Sequence, residues 1–305
     1  QVVGFRIIDR LGKGLRTPPR DALIAEVARN EVRGRAFGFH RAADHFGAVI
    51  GSLAAWWLLE HGASVPKVIG WSALPGVVAV VVLAVVLKRR DQGPGTGDRG
   101  QGGVEHEDVG LPGGSGPMSR VPGPSFFPPI FALTALTFFR LPEALLILRI
   151  QDRGVSVTAV PLIWAGLHVV RSASSFPGGG LVDRHGARRV VAGGGVLFAA
   201  VALALGLPVS PLAAVALFLA LGLVAGLTES GERTMVARLA PRNTGRGFGA
   251  YHALTGLAAL PAGIAFGALY QGGGGAVALW ASAIGMLIAV GWWLMVSPEE
   301  RVRRS

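Results

Sequence analysis

The 305 residues are 51% hydrophobic and only 15% charged, with a mean hydropathy of +0.50, whereas soluble domains carry roughly 25% charged residues. That composition excludes a disordered chain and an ordinary soluble enzyme, and the lack of cysteine excludes disulfides, cysteine-ligated zinc and iron–sulfur clusters. The formal charge of +11 is compatible with nucleic-acid binding unless the basic residues have another reason to be where they are.

A transmembrane helix needs about 20 predominantly apolar residues. Stretches of that kind lie at 37–59, 66–87, 126–148, 157–180, 190–208, 211–231, 247–270 and 275–296. They predict an all-α, polytopic helical bundle. Residues 1–28 carry too many charges to be assigned as a span from hydropathy. Residues 91–124 are rich in Gly, Pro and acidic groups and predict a flexible linker. The expected division is therefore 1–90, a linker at 91–124, and 125–305.

Lys and Arg accumulate in alternate loops: Arg16, Arg20, Arg29, Arg33 and Arg35; Lys88, Arg89, Arg90, Arg99 and Arg120; Arg184, Arg188 and Arg189; Arg238, Arg242 and Arg246; and Arg301, Arg303 and Arg304. The intervening loops hold little beyond Lys67 and Arg153. The surplus is thus a positive-inside pattern. It assigns the linker and the C-terminus to the cytoplasm, makes the lipid bilayer the partner, and removes the argument for nucleic acid.

An internal repeat is present. RGRAFGFH at 33–40 matches TGRGFGAY at 244–251, and WSALPG at 71–76 matches WASAIG at 280–285. Residues 1–88 therefore correspond to about 212–297, but the second copy is preceded by three further apolar segments. Symmetric halves imply three more helices ahead of residue 1 and a plan of six plus six spans, an organisation common in secondary transporters. On that reading, 1–17 is the end of a membrane helix; a cytosolic amphipathic segment is the other reading.

GGLVDRHGARR at 179–189 resembles the loop signature G-x-L-x-D-R-x-G-x-R-R of the major facilitator superfamily, with Gly179, Leu181, Asp183, Arg184, Gly186, Arg188 and Arg189 at every fixed position. The resemblance implies a loop between the eighth and ninth helices that latches two helix bundles in one conformation and releases them in another. Residues 6–21 are similar to the fourth-helix region of bacterial permeases of that family, which implies coupling or substrate roles for Arg6, with Asp9 and Arg10 beside it. Gly47-x-x-x-Gly51 resembles a glycine-rich motif of the family's antiporters, with Ser52 where that motif has Pro. The resemblance further implies an N-terminally truncated permease that moves a small solute by alternating access, coupled to protons, for uptake or efflux. It also implies a monomer in the bacterial cytoplasmic membrane. A transport-inactive sensor or scaffold is the alternative.

Ionisable residues inside spans are costly and mark candidate functional positions. His40, Arg41, Asp44 and His45 fall within about 140° of helical arc, with Gly47 and Gly51 on the same side, which predicts one polar, closely packed face. Asp44 is either a titratable cavity carboxylate or an interfacial residue. Arg140 and Glu143 are expected on one helix face as a buried pair, structural or substrate-binding. His168, Arg171 and Ser175 share a face suited to an anion, a proton or a helix contact. Glu229 and Glu232 are expected to pair with Arg233 or loop arginines, and His252 to be structural. Segments 190–208 and 275–296 are free of charge and 66–87 carries only Lys67 at its start, and the resemblance places their counterparts toward lipid.

No P-loop is present, HEDV at 106–109 lies in the linker, and the glycine runs at 178–180, 193–195 and 272–275 follow no strand. These features give no grounds for an enzyme, a cofactor or a metal.

Overall fold

The computed structural model describes residues 17–78, 81, 123–241 and 243–298, which are helical apart from short connections, with no strand among them. Arg6, Asp9, Arg10 and nearly all of the expected linker lie outside the described residues. Two compact units are formed: 17–53 with 123–298, and 54–78 with 81.

The first helix, α1, has its described part at 17–27. A 3-10 turn, Asn30–Val32, leads into α2, Arg33–Glu60. In the second unit the end of α2 is followed by α3, Val65–Trp71, and by α4, described over 73–78. Trp57, Ile69, Trp71, Leu74, Val77 and Val78 are all exposed there, an apolar surface suited to lipid. The later chain forms α5, Phe127–Phe139; α6, Glu143–Asp152; α7, Val160–His185; α8, Ala187–Gly206; α9, Pro211–Leu239; and α10, Thr244–Val296.

Local sequence accounts for the boundaries. Proline stands in the first turn of α3, α5, α7 and α9, where its missing N–H has no partner to lose. Ser210 accepts a hydrogen bond from the Ala213 N–H and so caps α9. Gly186 separates α7 from α8 at φ 86° and Gly274 breaks α10 at φ 80°, a backbone region that side chains disfavour. The interruption at Gly274 yields the two apolar segments expected at 247–270 and 275–296. The signature at 179–189 is mostly helical rather than a loop, with its turn confined to Gly186.

The segment expected at 126–148 is not one helix. Pro142 lacks an N–H and steers its predecessors away from helical geometry; Arg140 has ψ 106° and α6 restarts at Glu143. The core is built on α9: α7 packs along one side and α8 along another, α8 also packs on α10, and α5 lies on α10. Trp293, Phe198, Phe218, Phe248, Phe126 and Phe37 are its largest fully buried side chains. Just over half of the most apolar stretch of α8 is buried, so its freedom from charge reflects packing against α9 and α10 as much as contact with lipid. Buried Arg149 donates to the carbonyls of Leu205 and Gly206 at 3.0 and 2.8 Å, meeting acceptors that the end of α8 leaves open.

Candidate functional site

The N-terminal turn of α2 rests on the C-terminal turns of α7. Each first-turn N–H of a helix needs an external acceptor and favours an anion. Asp183 supplies both: Oδ1 accepts from the Gly34 N–H at 2.7 Å, and Oδ2 accepts from the Arg35 N–H at 3.1 Å and from Arg35 Nε at 3.2 Å. The backbones touch because Gly34 and Gly179 lack side chains. A Cβ on Gly34 would stand 2.6 Å from Asp183 Oδ1 and collide with the Gly179 carbonyl oxygen. The aspartate of the signature therefore caps a helix from the other end of the sequence. Leu181, Arg184 and Arg189 are exposed, while Arg188 donates to the Leu294 carbonyl and accepts at its own carbonyl from Trp293 Nε1 at 2.9 Å.

Further along α2 the expected polar face divides in two. Asp44 lies 3.1 Å from Arg41 Nη1, 3.4 Å from Arg20 Nη1 and 3.6 Å from His40 Nδ1, all on α1 and α2. Arg41 also pairs with Glu229 on α9. His45 turns the other way, with Nδ1 3.2 Å from His168 Nδ1 on α7 and Nε2 3.4 Å from Glu229 Oε2. Ser172 Oγ adds a bond to the Ala42 carbonyl at 2.8 Å. Gly47 and Gly51 have nothing within 4 Å of an added Cβ, so this face is not closely packed at the glycines.

The expected Arg140–Glu143 pair does not form, because the break at Pro142 sends the two side chains to different partners. Arg140 donates to Glu232 Oε1 at 3.1 Å, and Tyr251 Oη donates to Glu232 Oε2 at 2.7 Å. Glu143 pairs with Arg171 on α7. Ser175 bonds the carbonyl of Arg171 within its own helix at 2.7 Å. Among the described residues the carboxylates of Glu229 and Glu232 thus form no ion pair with Arg233 or the loop arginines; three residues apart, they share a face of α9 but reach different partners.

The sequence reading missed Asp21. It is fully buried on α1, 3.1 Å from Arg233 Nε, 3.0 Å from His252 Nε2 and 3.4 Å from Arg20. His252 is therefore one end of a charged contact between α1 and α10. The repeat held the signal, since the register that matches residue 33 with 244 also matches Asp21 with Glu232 and Arg41 with His252.

Arg140, Glu143, Arg171 and Glu229 line a small cavity of about 80 Å³, whose other walls include Leu141, Leu146, Leu167, Phe198, Leu221 and Val224. An apolar cavity with a few convergent charges is the usual form of a small-molecule site. Here the charges come from α6, α7, α9 and the break before α6. Among the described residues no group of three or more His, Cys, Asp or Glu is arranged to hold a metal ion.

Five of the described helices are long and apolar enough to cross a membrane, and the charged groups lie where helices meet one another. This defines the class: an integral membrane helical bundle with a charged interior. The chain belongs to the Major Facilitator Superfamily, whose family model matches residues 130–305. It is 25% identical over 270 residues to an uncharacterised MFS-type transporter of Methanocaldococcus jannaschii, covering 88% of this chain and 65% of that protein. It is 31% identical over 189 residues to an uncharacterised protein of Mycobacterium tuberculosis, covering 60% of this chain and 43% of that one. Over 51 residues it is 47% identical to a multidrug resistance protein, MdtH, of Salmonella newport, covering 17% of this chain and 13% of that protein. The chain thus spans less than two thirds of the length of each of these relatives.

Proposed function

We propose that the protein is a secondary transporter that moves a small solute across the membrane by alternating access, with protons as the coupling ion. The observation that carries this reading is the set of charged contacts by which α1 and α2 are held on the later helices: Asp183 on the N-terminus of α2, Asp21 with Arg233 and His252, and Arg41 with Glu229. Contacts of this kind can form in one conformation and part in another at modest cost, because each charge can find water when the helices separate. The positive-inside pattern supports placing this closure on the cytoplasmic side, so that the described conformation is the one shut toward the cytoplasm. The multidrug name of one relative supports efflux as the direction.

In this reading the cavity takes the solute, with Arg140, Glu143 and Arg171 in its polar part and the leucines and Phe198 against its apolar part. Glu143 is the exchangeable member. Its side chain is 42% exposed while that of Arg171 is 12% exposed, so a solute carboxylate can take its place on the guanidinium. The test is flux into vesicles holding the protein, with ethidium as an apolar cation and a set of amino and organic acids as probes. Expected are movement of at least one probe that depends on an imposed pH gradient, its collapse by a protonophore, and its loss in Glu143→Gln. Protein-dependent flux that ignores the pH gradient would remove the proton coupling, and unchanged flux in Glu143→Gln would remove the cavity assignment.

A further inference from the structure

The apolar span from Pro124 to Asp152 is broken near its middle, between α5 and α6. Beyond the break α6 begins at Glu143, and Pro142 at its start offers no side-chain cap to the open N–H groups of the first turn. A helix start favours negative charge, and in membrane transporters the start of an interrupted helix faces the anionic group of a substrate. Glu143 now supplies that anion, in the first turn of α6 and paired with Arg171.

Two guanidiniums border the same cavity, and each has a donor to spare. Arg140 gives Nη2 to Glu232 at 3.1 Å, and Arg171 gives Nη2 to Glu143. The Nε–H of both is buried without an acceptor, a costly state for a donor. Among the described residues no buried carboxylate oxygen is left without a partner, so the unmet demand here is for an acceptor. The two carboxylates already in place differ in their hold. Glu232 is 6% exposed and also takes the Tyr251 hydroxyl, whereas Glu143 is 42% exposed and has Arg171 as its partner. Glu232 is fixed, and Glu143 can be exchanged.

We propose that Arg140, Arg171 and the start of α6 form a subsite for the carboxylate of a short-chain organic acid, which enters by displacing Glu143. The inference rests on the reading above that the cavity takes the solute, and it names the class of that solute. The incoming carboxylate inherits Arg171 and the helix start from Glu143 and adds the Nε–H of Arg140. One carboxylate replaces another, so the charge among the arginines is unchanged, and the displaced Glu143 turns to water on its exposed side. A phosphate brings more charge and more oxygens than this exchange can match. The hydrocarbon tail lies against Leu146, Leu167 and Phe198. A cavity of about 150 Å³ takes a benzene ring; this one, at about 80 Å³, takes a tail of a few carbons. Release is the same exchange reversed, with Glu143 returning to Arg171.

The test is equilibrium dialysis of labelled propionate against the whole chain in lipid nanodiscs, with empty nanodiscs as the blank and propylamine as a cation of the same length. Saturable binding of propionate is expected, at least about 10-fold tighter than that of propylamine. Glu143→Gln removes the resident competitor and is expected to bind propionate about 10-fold more tightly than the parent, although it moves no solute because nothing returns to Arg171. A pair that only braces α6 against α7 would not give that gain. Arg140→Lys keeps a charge for Glu232 but deletes the Nε–H, and is expected to bind about 10-fold more weakly. Arg171→Gln is expected to lose propionate altogether. The double variant Arg171→Gln with Glu143→Gln leaves neither charge unpaired; it should melt near the parent and still bind none.

A parent that binds no propionate, or takes propylamine equally well, overturns the subsite. So does a Glu143→Gln protein that binds propionate no more tightly than the parent, or a double variant that still binds it. Inorganic phosphate that displaces propionate at equal concentration overturns the assignment to a carboxylate. If ethidium moves through a protein that binds no propionate, the subsite fails and the transport reading stands. If propionate binds in the expected pattern and no probe is moved, the subsite stands and the transport reading fails.

Discussion

Glu229 and Glu232 sit three residues apart on one face of α9, yet they reach different partners. Glu232 is held by Arg140 and Tyr251, both from the part of the chain beyond residue 123. Glu229 meets Arg41 and His45 of α2. One carboxylate belongs to the permanent body of the bundle and the other to a contact between two parts of it. Removing a fixed partner should unfold the protein, and removing a movable one should change its conformation.

The sharpest test of that contrast is Glu232→Gln against Glu229→Gln. The side chain of Glu232 is only 6% exposed, and taking one member from a buried, hydrogen-bonded pair leaves the other unpaired. Because Arg140 is 31% exposed and can reach water, the loss should fall at the lower end of the usual range, about 3 kcal/mol. It would be read as a large drop in melting temperature in detergent. Glu229→Gln should melt near the parent while altering the spacing of α2 and α9. Equal melting losses in the two variants would erase the distinction.

Gly34→Val probes the contact between parts by steric means. The added carbons would strike the Gly179 carbonyl and Asp183, and overpacking of this kind costs about 1–3 kcal/mol. Because α2 can move away, the cost should appear as a closed population lowered by about 5-fold or more, one factor of ten per 1.4 kcal/mol, with thermal stability retained. The chain has no cysteine, so spin labels at Phe39→Cys on α2 and Leu257→Cys on α10, both exposed, would report it as a longer distance. Gly47→Val on the same helix has open space around it and should leave that distance unchanged; a matching shift there would show that α2 responds to any added bulk.

Asp183→Asn removes charge but keeps one acceptor for the first turn of α2. The lost terms are the bond to Arg35, which is half exposed, and the favourable placement of an anion at a helix N-terminus. Together they amount to about 1 kcal/mol, so the closed state should weaken without disappearing, and less than in Gly34→Val. Asp183→Ala, which also strips the acceptor, should exceed Asp183→Asn. If the two are equal, the cap has no part in the closure.

What could be read in advance follows the same division. The helical class, the span positions and the break near 272–275 depend on hydropathy and glycine, which are local properties of the chain. The signature at 179–189 was legible as a motif, yet its aspartate serves the N-terminus of α2, 148 residues away in sequence. Arg140 and Glu143 were misassigned because an uninterrupted helix was drawn through Pro142. Glu229 and Glu232 were read as neighbours of nearby arginines, since spacing within one helix says nothing about which other helix lies opposite. Asp21 was missed because α1 is too charged for hydropathy to mark it as part of the bundle. The repeat would have flagged it, had the match been extended from the residue pattern at 33–40 back to the carboxylate that aligns with Glu232.

Asp44 gives the smallest expected effect and the most demanding check. The sequence leaves it either a titratable cavity carboxylate or an interfacial residue, and its partners Arg20, His40 and Arg41 all come from α1 and α2. Its side chain is 38% exposed, so solvent screens each of those contacts, and pairs of this sort contribute about 0–1 kcal/mol. Asp44→Asn should therefore leave the melting temperature within a few degrees of the parent. Its one indirect effect should run through Arg41, which would then be shared less and bind Glu229 more tightly. The fraction of molecules at the short label distance should accordingly rise in Asp44→Asn. A fall would mean that Asp44 helps to hold α2 on α9, and that the boundary between the fixed and movable contacts runs through a different set of residues.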